Sequence, residues 1–270
     1  MSFYTSLTGL KSAQTDLNVI SNNIANAETA GFKKSNTAFA DIVSSSILTD
    51  PSLTTGIGAR VASIQQNFGL GAMDQTGSAL DVAINGEGFF TVASPVSGAI
   101  AYTRAGAFAV DGDGYIHNAQ GSRLQVFAVD ASGAITGTTP QSAQIPPINA
   151  AGAEYAGITI EPNGAVVATY ADASNVTIGV VALASFIAPN GLKQLGNASW
   201  SATGRSGVAS YGQPGAGLYG SLLSGNIERS NVDLSEELVS LITAQRYFQA
   251  NAKAVDTETQ ISQTIINLRT

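Results

Sequence analysis

Apolar residues recur along this chain with two periods, helical at the ends and strand-like between them. In the first segment Leu7, Leu10, Leu17, Ile20, Ile24 and Ala27 fall at spacings compatible with one helical face, while Lys11, Gln14, Asp16, Asn18 and Asn22 fall largely elsewhere. Gly31 can stop such a helix in a left-handed conformation, and Phe32 just beyond it can fold back on the last turn. The last segment opens with Ser230-Asn231-Val232-Asp233, followed by Glu236 and Glu237, the cap-type side chains and first-turn acids that a helix N-terminus favours. From there Leu234, Leu238, Leu241, Phe248, Ala252, Val255, Ser262 and Ile266 repeat at steps near three and four. That is a seam of heptad type, interrupted by Gln245 and Thr259; a surface helix packed on its own β-domain would show the same stripe.

The long middle carries short β-like runs broken by turns, among them ALDVAINGEGFFTVA, AYTRAGAFAVDGDGYIHNA, SRLQVFAVDASGAI, GITIEPNGAVVATYA and VTIGVVALASFIAP. Asp113-Gly114, Asn163-Gly164 and Asn190-Gly191 mark tight turns. Residues 44–58 are polar and turn-rich and read as a connector, and 131–156 reads as a long loop or small excursion. The chain therefore divides into helical ends, 1–43 and 228–270, and a β-rich middle, 59–227.

Composition narrows the function classes. Only 11% of the 270 residues are charged, against roughly 25% in an average soluble domain, and Gly, Ala, Ser, Thr and Asn take their place. A net charge of −7 with 12 scattered basic residues gives no cationic stripe, which argues against a nucleic-acid partner. Cys is absent, which excludes disulfides and thiol chemistry. The opening MSFYTSLTGLK has no basic region leading into an apolar core, so no cleaved Sec signal is expected. The apolar stretch 178–188 is too short to span a bilayer, so no membrane insertion is expected.

The candidate chemical motifs have plainer explanations. Asp111-Gly112-Asp113-Gly114 resembles the start of a calcium loop but lacks the later acidic ligands, and a hairpin turn accounts for it. Gly86-Glu87-Gly88 lacks the third glycine and following helix of a nucleotide fingerprint, and reads as a tight or bulged turn. His117 is the only histidine and has no acid-base partner in view; the sequons at Asn175 and Asn197 are expected by chance at this Ser/Thr content. No catalytic constellation, metal site, cofactor or small-molecule substrate is expected.

The stretch SNNIANAETAGFKKS, at 21–35, is rich in carboxamides and small side chains. Together with the residues before it, it resembles the N-terminal signature of bacterial flagellar rod and hook proteins, a helix ending in an N-N-[IL]-A-N run followed by G-F-[KR]. ALDVAINGEGFFTV and AYTRAGAFAVDGDGYI are similar to that family's first β-blocks, and SGNIERSNVDLSEELVSLITAQRYFQANAKAVDTETQISQTIINLR to its C-terminal helix. Within the family the terminal blocks look most like hook subunits, so the expectation is a subunit of the hook, the flexible joint between rod and filament; the shrunken middle and the chain length make a distal rod subunit the alternative.

The resemblance implies a non-enzymatic structural subunit of the flagellum, exported without a cleaved signal by the flagellar export apparatus. Its partners would be other copies of itself in a helical homo-polymer and the neighbouring rod, junction and cap proteins. The implied fold is α+β, with discontinuous N- and C-terminal helices forming a coiled-coil-like inner domain and a mostly antiparallel β outer domain. The polymer-core contacts would come from Leu7, Leu10, Leu17, Ile20, Asn22, Asn23, Ile24 and Asn26 on the first helix. On the second they would be Leu234, Leu238, Leu241, Phe248, Ala252, Val255 and Ile266. Gly31 and Phe32 would turn the chain out of the polymer core, and Phe39 with Val43 would form an F-x-x-x-hydrophobic export-gate element. A connector packed between neighbouring β-domains would stiffen the polymer, with Ile47, Leu48 and Leu53 available to bury. A secreted β-domain binding module is the remoter reading; the Tyr, Phe and Trp residues mostly alternate within strands, as core residues do.

Overall fold

The computed structural model of the chain describes residues 2–43, 56–130 and 133–268. The fold is α+β, built as two compact units. A helical unit is assembled from Met1–Ala27, Lys34–Asn67 and Val232–Thr270, and a β unit from Glu28–Lys33 and Phe68–Asn231.

In the helical unit, α1 spans Ser2–Ala25 and α2 spans Leu234–Asn267. Asp233 caps α2 as expected: its carboxylate accepts the amides of Ser235 at 2.8 Å and Glu236 at 3.2 Å. The end of α1 comes earlier than Gly31 suggests. Asn26 closes the last turn on the Asn22 carbonyl, donating to it both its backbone amide at 3.2 Å and its side-chain amide at 2.9 Å. The helices run antiparallel, since Asn23 bonds Glu237 near one end while Gly9 faces Asn251 toward the other. A Cβ on Gly9 would lie 2.5 Å from the Asn251 carboxamide oxygen, so glycine sets how closely the helices approach there.

The third element of this unit is a hairpin. Ser35–Val43 pairs antiparallel with Gly56–Gln66, with a register shift between Ala38 and Phe39. Residues 44–55 lie outside the described residues, and with them Ile47, Leu48, Pro51 and Leu53 of the expected connector.

The β unit is almost wholly antiparallel. Its long sheet runs in the order Tyr155–Ile160, Ala165–Tyr170, Asn175–Val181, Arg123–Phe127, Phe89–Ala93, Ile100–Thr103, Ser199–Ser201, Lys193–Gly196. Two small pairs, Ser221–Ser224 with Val82–Asn85 and Asn226–Glu228 with Met73–Gln75, return the chain to where the unit began. Asn163-Gly164 makes the tight turn between the first two strands, where Glu161 O accepts the Gly164 amide. Residues 133–154 form more than a plain loop: Gln141–Ser142 pairs with Arg123–Phe127, and Ile148 bridges Glu154.

Two cores fill the unit. The larger joins Val82, Ile84, Phe90, Leu124, Val181, Leu183 and Leu222 across the sheet. The smaller is aromatic, with Phe89, Phe186 and Trp200 meeting edge-on at centroid distances of 5.6–5.9 Å.

Gly31 carries the left-handed φ expected of it, +70°, but its role lies in the β unit. A Cβ there would stand 2.4 Å from the Ala105 amide nitrogen and 2.6 Å from the Arg104 carbonyl carbon, both backbone atoms that cannot swing aside. Gly31→Ala is therefore expected to cost the β unit about 2–4 kcal/mol, adding a clash to left-handed strain. Gly98→Ala has the same strain (φ +66°) but open space, and is expected to cost about 1 kcal/mol. Denaturant unfolding followed by the fluorescence of Trp200, the single and buried tryptophan, checks the difference; equal costs would refute the close-approach argument.

Candidate functional site

The two strongest local arrangements, one in each unit, both start from the GFKK turn at 31–34. In the helical unit, Asn23 is buried and acts as a polar clasp. Its amide donates to the Ser35 carbonyl at 2.8 Å and to Glu237 at 3.1 Å, and its oxygen accepts the Ser35 amide at 2.9 Å. Lys34 bridges Glu237 at 2.9 Å and Glu236 at 3.1 Å. Burial alone would lower the Lys34 ammonium pKa, but the hydrogen bonds to Glu237 and Glu236 outweigh it and hold the group above its ordinary value.

The clasp sets which face of α2 meets α1. Glu237 and Ala244 are buried; Leu241, Phe248, Asn251, Val255 and Glu258 are half-buried, a run of alternating four- and three-residue steps. Leu234 and Leu238, expected on the seam, are instead 49% and 45% exposed, because Glu237 is drawn in by Asn23 and Lys34. Ala252 is half-buried and Ile266 exposed. On α1, Ile20 and Asn23 are buried, Leu7, Leu10, Leu17, Ile24 and Asn26 half-buried, and Asn22 exposed. Val239, Ile242, Ile261 and Ile265 add to the uncovered apolar surface of α2. Pairing Asn23 with Glu237 and Gly9 with Asn251 sets Ser2 level with Glu258, so Thr259–Asn267 extends past the start of α1 by about 13 Å. Every residue of that extension is exposed.

Phe39 and Val43 are exposed positions in the alternating stretch 39–43 of strand Ser35–Val43, each following a register shift, and each is 48% exposed.

In the β unit, the same turn feeds a buried charged knot that sequence reasoning missed. Lys33 and Glu228 are fully buried and paired at 2.5 Å. The Glu228 carboxylate also accepts Arg104 Nη1 at 3.2 Å and the Gly71 amide at 2.9 Å, while its backbone oxygen accepts the Gly31 amide at 2.8 Å. Lys33 donates to Gly69 O at 2.7 Å, and Arg104 to Gly86 O at 3.0 Å with its guanidinium 5.2 Å from the Phe89 ring centre. Burial pushes the Lys33 ammonium below its ordinary pKa, with Glu228 opposing that shift. Phe32 is buried beside this knot in sequence. The available signal was scarcity: in a chain with so few charges, adjacent lysines and a lone acid before α2 are candidates for specific partners.

The remaining motifs fall into structural roles. Asp111 Oδ1 accepts the amides of Asp113 and Tyr115, closing the turn at 111–114. Gly86 and Gly88 both have positive φ, and Gly86 lies against Gly220. His117 Nδ1 sits 2.8 Å from Asn118 O.

Comparison with known proteins agrees with this architecture. The family model described as flagellar hook protein FlgE/F/G D1 domain matches residues 83–168, which lie in the β unit. Models for the flagellar basal body rod FlgEFG protein C-terminal region and the flagella basal body rod protein match 223–268 and 3–33. The flagellar basal-body rod protein FlgG of Bacillus subtilis is 34% identical over 99% of this chain and 98% of its own length. That of Caulobacter vibrioides is 32% identical over 98% of each. The flagellar hook protein FlgE of Salmonella typhimurium is 27% identical, in an alignment of 425 positions covering both chains in full.

The knot yields a rank order. Glu228→Gln leaves two buried cations without their anion and is expected to cost the β unit about 3–5 kcal/mol. Lys33→Met leaves the carboxylate still held by Arg104 and the Gly71 amide, so about half that cost is expected. Denaturant midpoints of the two variants provide the test; equal losses would mean that Glu228 is not the hub.

Proposed function

Since this chain belongs to the flagellar rod and hook protein family, we propose that it is a rod subunit of the basal body, polymerising through its terminal helices into a stiff shaft. The observation that carries the reading is end-to-end correspondence with proteins named as basal-body rod proteins, across both helices and the β unit. The terminal blocks had suggested a hook subunit instead. Relatives favour the rod: the hook protein aligns at lower identity and needs 425 positions against 270 residues here, so it carries long stretches without a counterpart.

The helical unit supports polymerisation. A monomer leaves Leu234, Leu238, Val239 and Ile242 open to water, together with the apolar side chains of the Thr259–Asn267 extension. Surfaces of this kind mark protein contacts. Neighbouring copies would cover them, while the exposed carboxamides of α1, Gln14, Asn18 and Asn22, and its small residues permit close lateral approach. The β unit would form the outer layer. The role is mechanical, and the site residues act by packing and not by chemistry.

Export completes the proposal. The subunit leaves the cell through the flagellar export apparatus, and the exposed Phe39 and Val43 form the recognition element. Their exposure in the folded hairpin supports this over a purely anchoring role for Phe39.

Two outcomes are expected. Purified full-length chain should form straight tubes by electron microscopy, and deletion of residues 259–270 should abolish them without changing Trp200-monitored unfolding of the β unit. Curved tubes would return the assignment to the hook, and tubes from the deleted chain would remove the extension from the assembly contact. In cells, Phe39→Ala with Val43→Ala should lower secreted protein at least tenfold while the purified variant unfolds at the parent midpoint; undiminished secretion would end the recognition idea.

A further inference from the structure

Charge in the β unit is sorted across its sheet. Residues 111–172 carry six carboxylates and one arginine; from 173 to 227 there is no carboxylate, and Lys193 and Arg205 are the only charged side chains. The first stretch supplies one edge of the long sheet, Tyr155–Ile160, and the second supplies the other, Lys193–Gly196. Seven steps between neighbouring strands separate the edges, roughly 34 Å at the usual spacing.

The acidic edge is concave. An open groove of about 1160 Å³ lies between the turn at 111–114, residues 144–148 and the start of strand Tyr155–Ile160. Pro147, Ile148 and Tyr155 give it apolar walls. Asp113 and Glu154 stand exposed on its rim, and neither side chain has an ion-pair partner among the described residues. Asp111 and Arg123 also line the groove, with the Arg123 guanidinium lying over the Tyr115 ring, so carboxylates outnumber the cation there three to one.

The opposite edge reverses each property. Strand Lys193–Gly196 is exposed along its whole length. Lys193 and Arg205 are exposed and have no ion-pair partner among the described residues. Ile187, Leu195 and Val208 project beside them at 95%, 55% and 88% exposure. Hydrogen bonds from Ala188 N to Ser206 O (3.4 Å) and from Thr203 Oγ1 to Gly191 O (2.5 Å) hold these segments together as one surface.

An apolar groove with two unpaired anions and an apolar projection with two unpaired cations are complementary. One molecule cannot join them, because they sit on opposite edges of its own sheet. We propose that the Lys193–Arg205 edge of one β unit seats in the Asp113–Glu154 groove of a second copy of this chain. The contact is heterologous, so each copy keeps one free groove and one free edge, and the series propagates. It adds a directional bond between β units to the polymer read above, and it rests on that reading for its biological setting. With a net charge of −7 the copies repel in general; sorted charge makes one orientation attractive.

The absence of Cys allows a clean test on the full chain. Ile148→Cys with Leu195→Cys leaves all four charges in place, and a short bismaleimide should link copies into a ladder, while each single-cysteine chain should yield no cross-linked ladder. In that background Lys193→Glu with Arg205→Glu should reduce the ladder about tenfold, and adding Asp113→Lys with Glu154→Lys should restore it. Electron microscopy of the same samples separates the outcomes. Tubes without a ladder would overturn this contact and leave the assembly reading standing. A ladder without tubes would keep the contact and remove the helical assembly, and neither product would remove both. A ladder unchanged by charge reversal would overturn the recognition proposed here.

Discussion

A single buried carboxylate organises the β unit. Glu228 is fully buried away from bulk solvent, so its charge is tolerable only where Lys33, Arg104 and the Gly71 amide all converge. These partners are 195, 124 and 157 residues away in sequence, which makes the knot a statement about topology as much as stability. Misplacing any one segment exposes a charge to a low-dielectric interior, at a cost far above that of a misplaced methyl group. Gly31 belongs to the same arrangement, because its lack of a side chain lets the backbone of 104–105 close against it. The strict need at 31 and the charge at 33 are therefore two parts of one constraint.

The helical unit solves a different problem with the same economy of charge. Lys34, next to the knot's lysine in sequence, turns to Glu236 and Glu237, and Asn23 locks the start of α2 to the start of the hairpin. Polar groups fix register at this one end; along the rest of the helices small and mid-sized side chains leave the apolar surface of α2 open. Specificity within the chain and capacity for contact outside it are thus assigned to different parts of the same helix.

Much of this was legible in sequence. Period and caps placed both helices, and turn dipeptides with alternating apolar residues placed most strands, because those signals are local. The hairpin at 35–66 was not legible: Gly31 marked where the helix stops, but SNTAFADIV alternates too weakly to announce a strand after it. Where α2 meets α1 its face begins at Glu237 and not at the more hydrophobic Leu234 and Leu238, because long-range partners pull Glu237 inward. No local rule announces that a glutamate will be buried. What Gly31 does was likewise visible only as a backbone preference, since its neighbours at 104 and 105 are distant in sequence.

The position of the knot also bears on the order in which the chain folds. Contact between α1 and α2 joins residues 214 apart at Asn23 and Glu237 and still farther apart at Gly9 and Asn251, a loop whose closure is entropically slow when the intervening chain is disordered. The β unit, by contrast, is nearly continuous in sequence and rich in neighbouring-strand pairs. Once it forms, the bond from the Gly31 amide to the Glu228 carbonyl brings the two outgoing strands of chain within hydrogen-bonding distance. A search across more than two hundred residues then becomes one across a few. The charged knot thereby acts as a kinetic matchmaker: helices too distant to find each other readily in the unfolded chain become near neighbours.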